Sequence, residues 1–192
     1  MPSNILHDSR GENKNQLLII CDKKGHPLGK DTRENCHLGE GRPHLAFMAF
    51  VVNSKKEILL TKRSKEKSLW ALHWDAAAIS HVLPGETPSQ AAARRAGEEL
   101  GIKAQFKDIG AFYYTAPYNG NSENEYCHIM LTKSDERIES NPVEISEIQY
   151  VSVPQLNEMI KVDPGRFAPW FLLAMEKIDL PAEIDKLFLN EN

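Results

Sequence analysis

Residues 85–102 read GETPSQAAARRAGEELGI. Thr87 is a hydroxyl cap, Pro88 suits a first helical position where its missing N–H costs nothing, and Gln90 completes a Thr-x-x-Gln capping box. AAARRA is strongly helix-forming, and Gly101 allows the left-handed turn that ends a helix. The spacing predicts a helix over 88–100. On it Arg95 and Glu99 are four residues apart and share a face, and Arg94 and Glu98 share the neighbouring one. Two solvated ion pairs, each contributing about 0.3–0.5 kcal/mol, account for that spacing. A set of charges aimed at a ligand accounts for it equally well.

On either side of this helix lie strands. Residues 44–52, HLAFMAFVV, are nearly all apolar, and after a polar turn at 53–57 a second apolar run ends in Thr61, Lys62 and Arg63. This is a buried hairpin with a basic exit. An earlier hairpin runs from Leu17 to Cys21 and returns after Gly25 and Pro27. HWDAAAIS (73–80), IGAFYYTA, NEYCHIMLTK and EISEIQYVSV read as further strands, and VPQLNEMI and FAPWFLLAMEKI as helices. Strands, one helix, more strands and then helices make an α/β class chain, a mixed sheet sandwiched by helices.

A length of 192 residues with 41% apolar content and no tandem repeat fits a single domain. We place that domain at 17–178, preceded by a flexible polar tail over 1–16 and followed by a helical tail over 179–192. The first sixteen residues lack an apolar signal core, and no apolar run is long enough to span a bilayer, so no membrane insertion is expected. Cys21, Cys36 and Cys127 are odd in number and lack CxxC spacing, which fits a reducing, cytoplasmic setting. A net charge of -4 gives no general attraction to nucleic acid. A monomer or a homodimer is expected.

Glu86, Arg94, Glu98, Glu99, Gly101 and Ile102, with Ala96 at the apolar position, follow the pattern G-x5-E-x7-R-E-apolar-x-E-E-x-G-apolar. That pattern resembles the Nudix box, a loop, helix and loop whose glutamates hold a divalent metal against a diphosphate. Two positions depart from it, Ser80 for the first glycine and Arg95 for the glutamate after Arg94. An Arg-Arg pair at that place is similar to the type 1 isopentenyl diphosphate isomerases. So are H-x6-H-L-A-F at His37 and His44, KRSKEK after the hairpin, Trp74 followed by His81, ENE at 123–125, and FAPW ending in Trp170.

The resemblance implies a Nudix fold and a small-molecule diphosphate substrate. It implies a metal site of His37, His44, His81, Glu123 and Glu125, a donor set suited to Mn²⁺ or Zn²⁺. Glu99 would help place a Mg²⁺ that bridges to the substrate, and Arg33, Arg63, Lys67 and Arg95 would bind the diphosphate. Glu125 and Tyr113 would move a proton on one side of the substrate, with Trp170 offering a ring face to a developing cation. Lys24 and Lys65 have no counterpart and read as solvated cations.

The segment WDAAAISH puts Ile79 where these isomerases carry an acidic cysteine. Isoleucine neither donates nor accepts a proton. Four readings follow. The chain is an isomerase with another acid (Cys127, Asp75, Ser80 or water); or it hydrolyses a prenyl-type diphosphate with metal-activated water; or it is a binding protein; or it is a Nudix hydrolase of nucleotides, with Tyr114 and Tyr118 as possible stacking groups that read better as packing residues. Proton transfer of the isomerase kind is the leading expectation, hydrolysis the alternative.

Overall fold

The computed structural model describes residues 13–189. In chain order the elements are β1 (Leu17–Cys21), β2 (Pro27–Thr32), α1 (Arg33–His37), β3 (His44–Val52), β4 (Ile58–Arg63), β5 (Trp74–Asp75), β6 (Ala78–His81), α2 (Pro88–Leu100), β7 (Lys107–Tyr118), β8 (Asn121–Lys133), β9 (Ile145–Val151), α3 (Val153–Val162), α4 (Pro169–Lys177) and α5 (Leu180–Leu189). β3 is the hub of one mixed sheet. It lies antiparallel to β6, from Ala46↔His81 to Ala49↔Ala78, and parallel to β8, from His44↔Glu125 to Val52↔Lys133. β7 extends the sheet beyond β8, and β4 carries β9 and the short β5.

The unbroken apolar run of β3 is explained by burial on both faces. Met48, Phe50 and Val52 pack into a core closed by α3, α4 and α5, while Phe47, Ala49 and Val51 pack into a second core under α2. Helix α2 begins with the expected capping box: Gln90 N donates to Thr87 Oγ1 at 3.2 Å and Thr87 N donates to Gln90 Oε1 at 2.9 Å. It ends at Gly101, whose φ of 73° is left-handed. Ala91, Ala92 and Ala96 are fully buried, so the helix sits close to the sheet and presents its Arg and Glu side chains along one edge.

Three details depart from the expectations. Residues 73–80 form two strands, because the chain leaves β4 at Asp75 and joins β3 at Ala78. The extended return after Pro27 ends in the short helix α1, capped by Thr32. Of the polar tail, residues 1–12 lie outside the described residues, but 13–16 are tied down: Arg33 N donates to Gln16 O at 2.8 Å and Glu34 N to Lys14 O at 3.1 Å. At the other end α5 docks on the first core through Leu180 and Ile184, and Lys56 bonds Asp185 at 2.7 Å. No helix among the described residues is long and apolar enough to cross a membrane.

Candidate active site

Strand alternation sends Glu123 and Glu125 to one face of β8 and Asn124 to the other. On the glutamate face, pairing sets His44 of β3 opposite Glu125 and His81 of β6 beside Ala46. His37 arrives from α1. Ligand atoms of these five buried residues lie within 4.8 Å of one another. Asn124, on the opposite face, donates to the carbonyls of Glu40 and Gly41 at 3.3 Å each, which seats the loop that carries the chain from His37 to His44. Gly41 has a φ of 68°, and a Cβ there would meet Cys36 O at 2.9 Å, so the turn requires glycine.

The proton positions favour a cation. His37 Nδ1 lies 2.7 Å from Arg33 O, and His44 Nδ1 lies 2.7 Å from Arg42 O. A carbonyl only accepts, so each Nδ1 holds the proton and each Nε2 turns a lone pair inward. His37 Nε2 then faces Glu123 Oε2 at 3.0 Å, and His44 Nε2 faces Glu125 Oε1 at 3.4 Å. His37 Nε2, His44 Nε2 and Glu123 Oε2 are buried without a hydrogen-bond partner. Converging lone pairs repel unless a proton or a metal sits between them. The electrostatics agree: burial lowers the His37 pKa, but the Glu123 carboxylate facing it at 3.0 Å outweighs that and raises the value overall. At His81, burial and then the Arg33 charge push the pKa well down, which keeps that imidazole neutral and able to ligate. This donor set fits a divalent cation.

The tyrosine beside Glu125 is Tyr114, and the expectation for Tyr113 is corrected. Tyr114 pairs with Glu125 across β7 and β8 and donates its hydroxyl to Glu125 Oε2 at 2.5 Å. Tyr113 lies one residue away and therefore on the other face, where it donates to Asn124 Oδ1 at 2.9 Å. Burial, then the Glu125 charge, raise the Tyr114 pKa well above the usual phenol range, so it remains a proton donor. Burial also opposes ionisation of Glu125, but the neighbouring His44, with the Tyr114 hydrogen bond, brings its pKa down.

Glu123, Glu125, His81 and Tyr114 line a cavity of about 820 Å³ together with Trp170 and Ile79. Arg33, Arg63, Lys67 and Arg95, the four expected diphosphate cations, line it too. Arg63 is aimed by bonds to the carbonyls of Leu69 and Trp70, its guanidinium 5.2 Å from the Trp170 ring. Arg95 is held by carboxylates: it bonds Glu98 at 2.8 Å, Glu99 at 2.8 Å and Glu144 at 3.0 Å. Lys67 meets Glu144 at 2.9 Å. Arg94 makes a two-pronged bond with Glu86 at 2.6 and 3.0 Å, so it braces the loop before α2 more than it pairs with Glu98, 3.6 Å away. Glu99 lies outside the histidine cluster, lining a water-sized space with Asp75 and Glu144.

Among the suggested substitute acids, Ser80 lines the large cavity. Cys127 is 1% exposed, lies on the Glu125 side of β8 and belongs to the apolar core, where burial holds its thiol pKa well up. Asp75 is buried behind Trp170, and its Oδ2 accepts the indole N–H at 2.8 Å. Tyr118 packs against Trp70 with ring centroids 4.5 Å apart. Glu144 went unrecognised in the sequence, where nothing marks a lone glutamate before β9. Asn13 and Gln16, read as tail, also line the cavity.

The model of the NUDIX domain family matches residues 42–171. The chloroplastic isopentenyl-diphosphate Delta-isomerase I of Arabidopsis thaliana is 35% identical over 184 residues, and this chain spans 63% of that protein's length. The isopentenyl-diphosphate Delta-isomerase of Brevibacterium linens is 32% identical over 82% of this chain and 88% of its own. The Haloarcula marismortui protein of the same name is 33% identical over 88% of this chain and 95% of its own. Among solved structures, DR0079 from Deinococcus radiodurans superposes with a TM-score of 0.63 at 21% identity, covering 90% of this chain and 99% of that one. A MutT protein from Methanosarcina mazei gives 0.55 at 22% identity, covering 68% and 87%. These two likenesses speak for the fold, and the isomerase relatives for the branch, so that this chain is a member of the Nudix family in the group that holds the isopentenyl-diphosphate Delta-isomerases.

Proposed function

We propose that this chain is a metal-dependent enzyme that shifts the double bond of an isopentenyl-type diphosphate by proton transfer. The observation that carries the reading is the Tyr114–Glu125 pair, a buried phenol donating to a carboxylate at 2.5 Å, set in one cavity with Trp170 and four cationic side chains. In this reading Arg33, Arg63, Lys67 and Arg95 hold the diphosphate, because dense negative charge needs several donors at once. Addition of a proton to the terminal alkene carbon creates a tertiary cation, which the Trp170 ring face attracts. Loss of a proton from the neighbouring methylene completes the shift, and Glu125 with Tyr114 is the pair that exchanges protons. His37, His44, His81, Glu123 and Glu125 would hold a divalent cation, Mn²⁺ or Zn²⁺ by donor type, and its charge would keep Glu125 ionised and aimed. We place a Mg²⁺ that accompanies the substrate near Glu99. Cytoplasmic residence and a monomeric or homodimeric state belong to the same proposal.

Ile79 favours a second reading. It lines the cavity where the isomerase resemblance calls for a cysteine, so one face of the substrate meets an apolar side chain. Release of phosphate from a prenyl-type diphosphate needs no acid at that place. Incubation with isopentenyl and dimethylallyl diphosphates in D₂O, with Mg²⁺ and Mn²⁺, tests both. Deuterium entering the allylic carbons supports the isomerase reading. Phosphate release without deuterium entry overturns it in favour of hydrolysis.

A further inference from the structure

Asp75 is a buried carboxylic acid that the proposed reaction does not use. It is 2% exposed, and its surroundings fix it from several sides. Its Oδ1 accepts the N–H of Ala76 at 2.9 Å, and its Oδ2 accepts the indole N–H of Trp170 at 2.8 Å. The strand that carries it is fastened to the start of α4: Ala168 N donates to Trp74 O at 3.0 Å, and Trp74 bridges to Phe167. The side-chain bond and this backbone bridge therefore register β5 against the first turn of the helix that carries Trp170. Trp170 otherwise meets Trp70 edge-on at 4.9 Å, Tyr114 tilted at 6.2 Å and the Arg63 guanidinium over its ring at 5.2 Å. Packing confines the ring, and the directional hydrogen bond to its one N–H selects which edge is turned to Asp75.

We propose that Asp75 is the positioning residue for Trp170, its carboxyl oxygen holding the indole N–H so that the ring turns its face toward the cavity and the Tyr114–Glu125 pair. The assignment rests on the isomerase reading for its effect on rate, and on geometry alone for its effect on the ring. Misplacing a group that must meet the reacting carbons by about 1 Å costs about 10²-fold, which sets the scale expected here.

The test compares Asp75→Asn, which keeps an oxygen acceptor in place, with Asp75→Leu, which removes it. Indole N–H resonances of ¹⁵N-labelled protein, assigned with Trp170→Phe, report the bond directly. In Asp75→Leu the Trp170 resonance should move toward that of an unbonded indole, with kcat for isomer exchange down about 10- to 100-fold. Asp75→Asn should keep kcat within about fivefold of wild type, because an amide oxygen still accepts the N–H. An unmoved Trp170 resonance in folded Asp75→Leu overturns the proposal, as does a moved resonance with no change in kcat. Should Asp75→Leu not fold, Asp75→Asn decides: an indole bond and a kcat that are kept together or lost together support the assignment, and loss of one without the other overturns it. Absence of exchange in wild type refutes the isomerase reading and leaves the ring assignment to the indole resonance.

Discussion

Replacing Tyr114 with Phe removes one atom and should separate chemistry from packing. The hydroxyl donates to Glu125 Oε2 at 2.5 Å inside a buried site, and the ring around it is 5% exposed. A hydrogen bond to a charged acceptor contributes about 1.5–3 kcal/mol. If that bond is needed as the proton moves, its loss corresponds to about a 10- to 150-fold fall in kcat, since about 1.4 kcal/mol is tenfold. If the cationic side chains bind the substrate, as proposed, KM should stay within about threefold. Tyr113→Phe is the matched control. Its hydroxyl donates to Asn124 Oδ1 at 2.9 Å on the outer face, so its loss should cost about 1 kcal/mol of stability and leave kcat within about twofold. Isomer interconversion followed by ¹H NMR at saturating Mg²⁺ and Mn²⁺ gives both constants. A Tyr113→Phe protein slower than Tyr114→Phe would refute the register argument, and an unchanged kcat in Tyr114→Phe would refute the role of the pair.

Ile79→Cys should raise isomer exchange by about 100-fold, the low end of what a general acid supplies, and an unchanged rate in folded protein counts against the isomerase reading. Protein purified without chelator should carry a transition metal that the double variant His44→Ala, Glu125→Gln lacks; equal metal by elemental analysis removes the cluster assignment. Burial pushes the Asp75 pKa up to about 7, against the pull of Arg63 and Trp170 and with the help of Glu99. A folded-state value above the unfolded one, near 3.9, stabilises the fold at low pH and loses that contribution as pH rises through about 7. Wild type should therefore lose a few kcal/mol relative to Asp75→Asn between about pH 4 and pH 8 in urea melts, and parallel curves would refute the shift. Thr87→Ala removes the cap of α2 and should cost about 1 kcal/mol in the same melts, with no loss taken as evidence that the helix is held by tertiary packing alone.

The local chemistry of α2 was legible because each signal is short-range: Thr87, Pro88, Gln90 and Gly101 act within a few residues of one another. The hub strand was legible from its unbroken apolar run, and the five metal-type side chains from their resemblance to a known pattern. What the sequence carried less visibly was register. The turn between β7 and β8 is Asn119-Gly120, both at positive φ, a two-residue hairpin turn that pairs Tyr118 with Asn121. Counting back from that pair puts Tyr114 opposite Glu125 and Tyr113 on the far face. The turn signal was available, and assigning the tyrosine by resemblance passed over it. Glu144 had no such signal, because its meeting with Arg95 and Lys67 joins segments far apart in the chain. The same holds for Asp75, whose partner Trp170 is 95 residues distant.

The histidine cluster draws its donors from the neighbouring α1 and β3 and from β6 and β8, which lie tens of residues further along the chain. An ion bound by all of them is a multiple cross-link in the topological sense, closing several loops of the unfolded chain through one point. In the chain-entropy account, each such closure restricts the unfolded ensemble by about 3–5 kcal/mol for loops of tens of residues. Metal release and the parting of these strands then become linked events. An enzyme wired this way would hold its fold more firmly with the ion bound than without it.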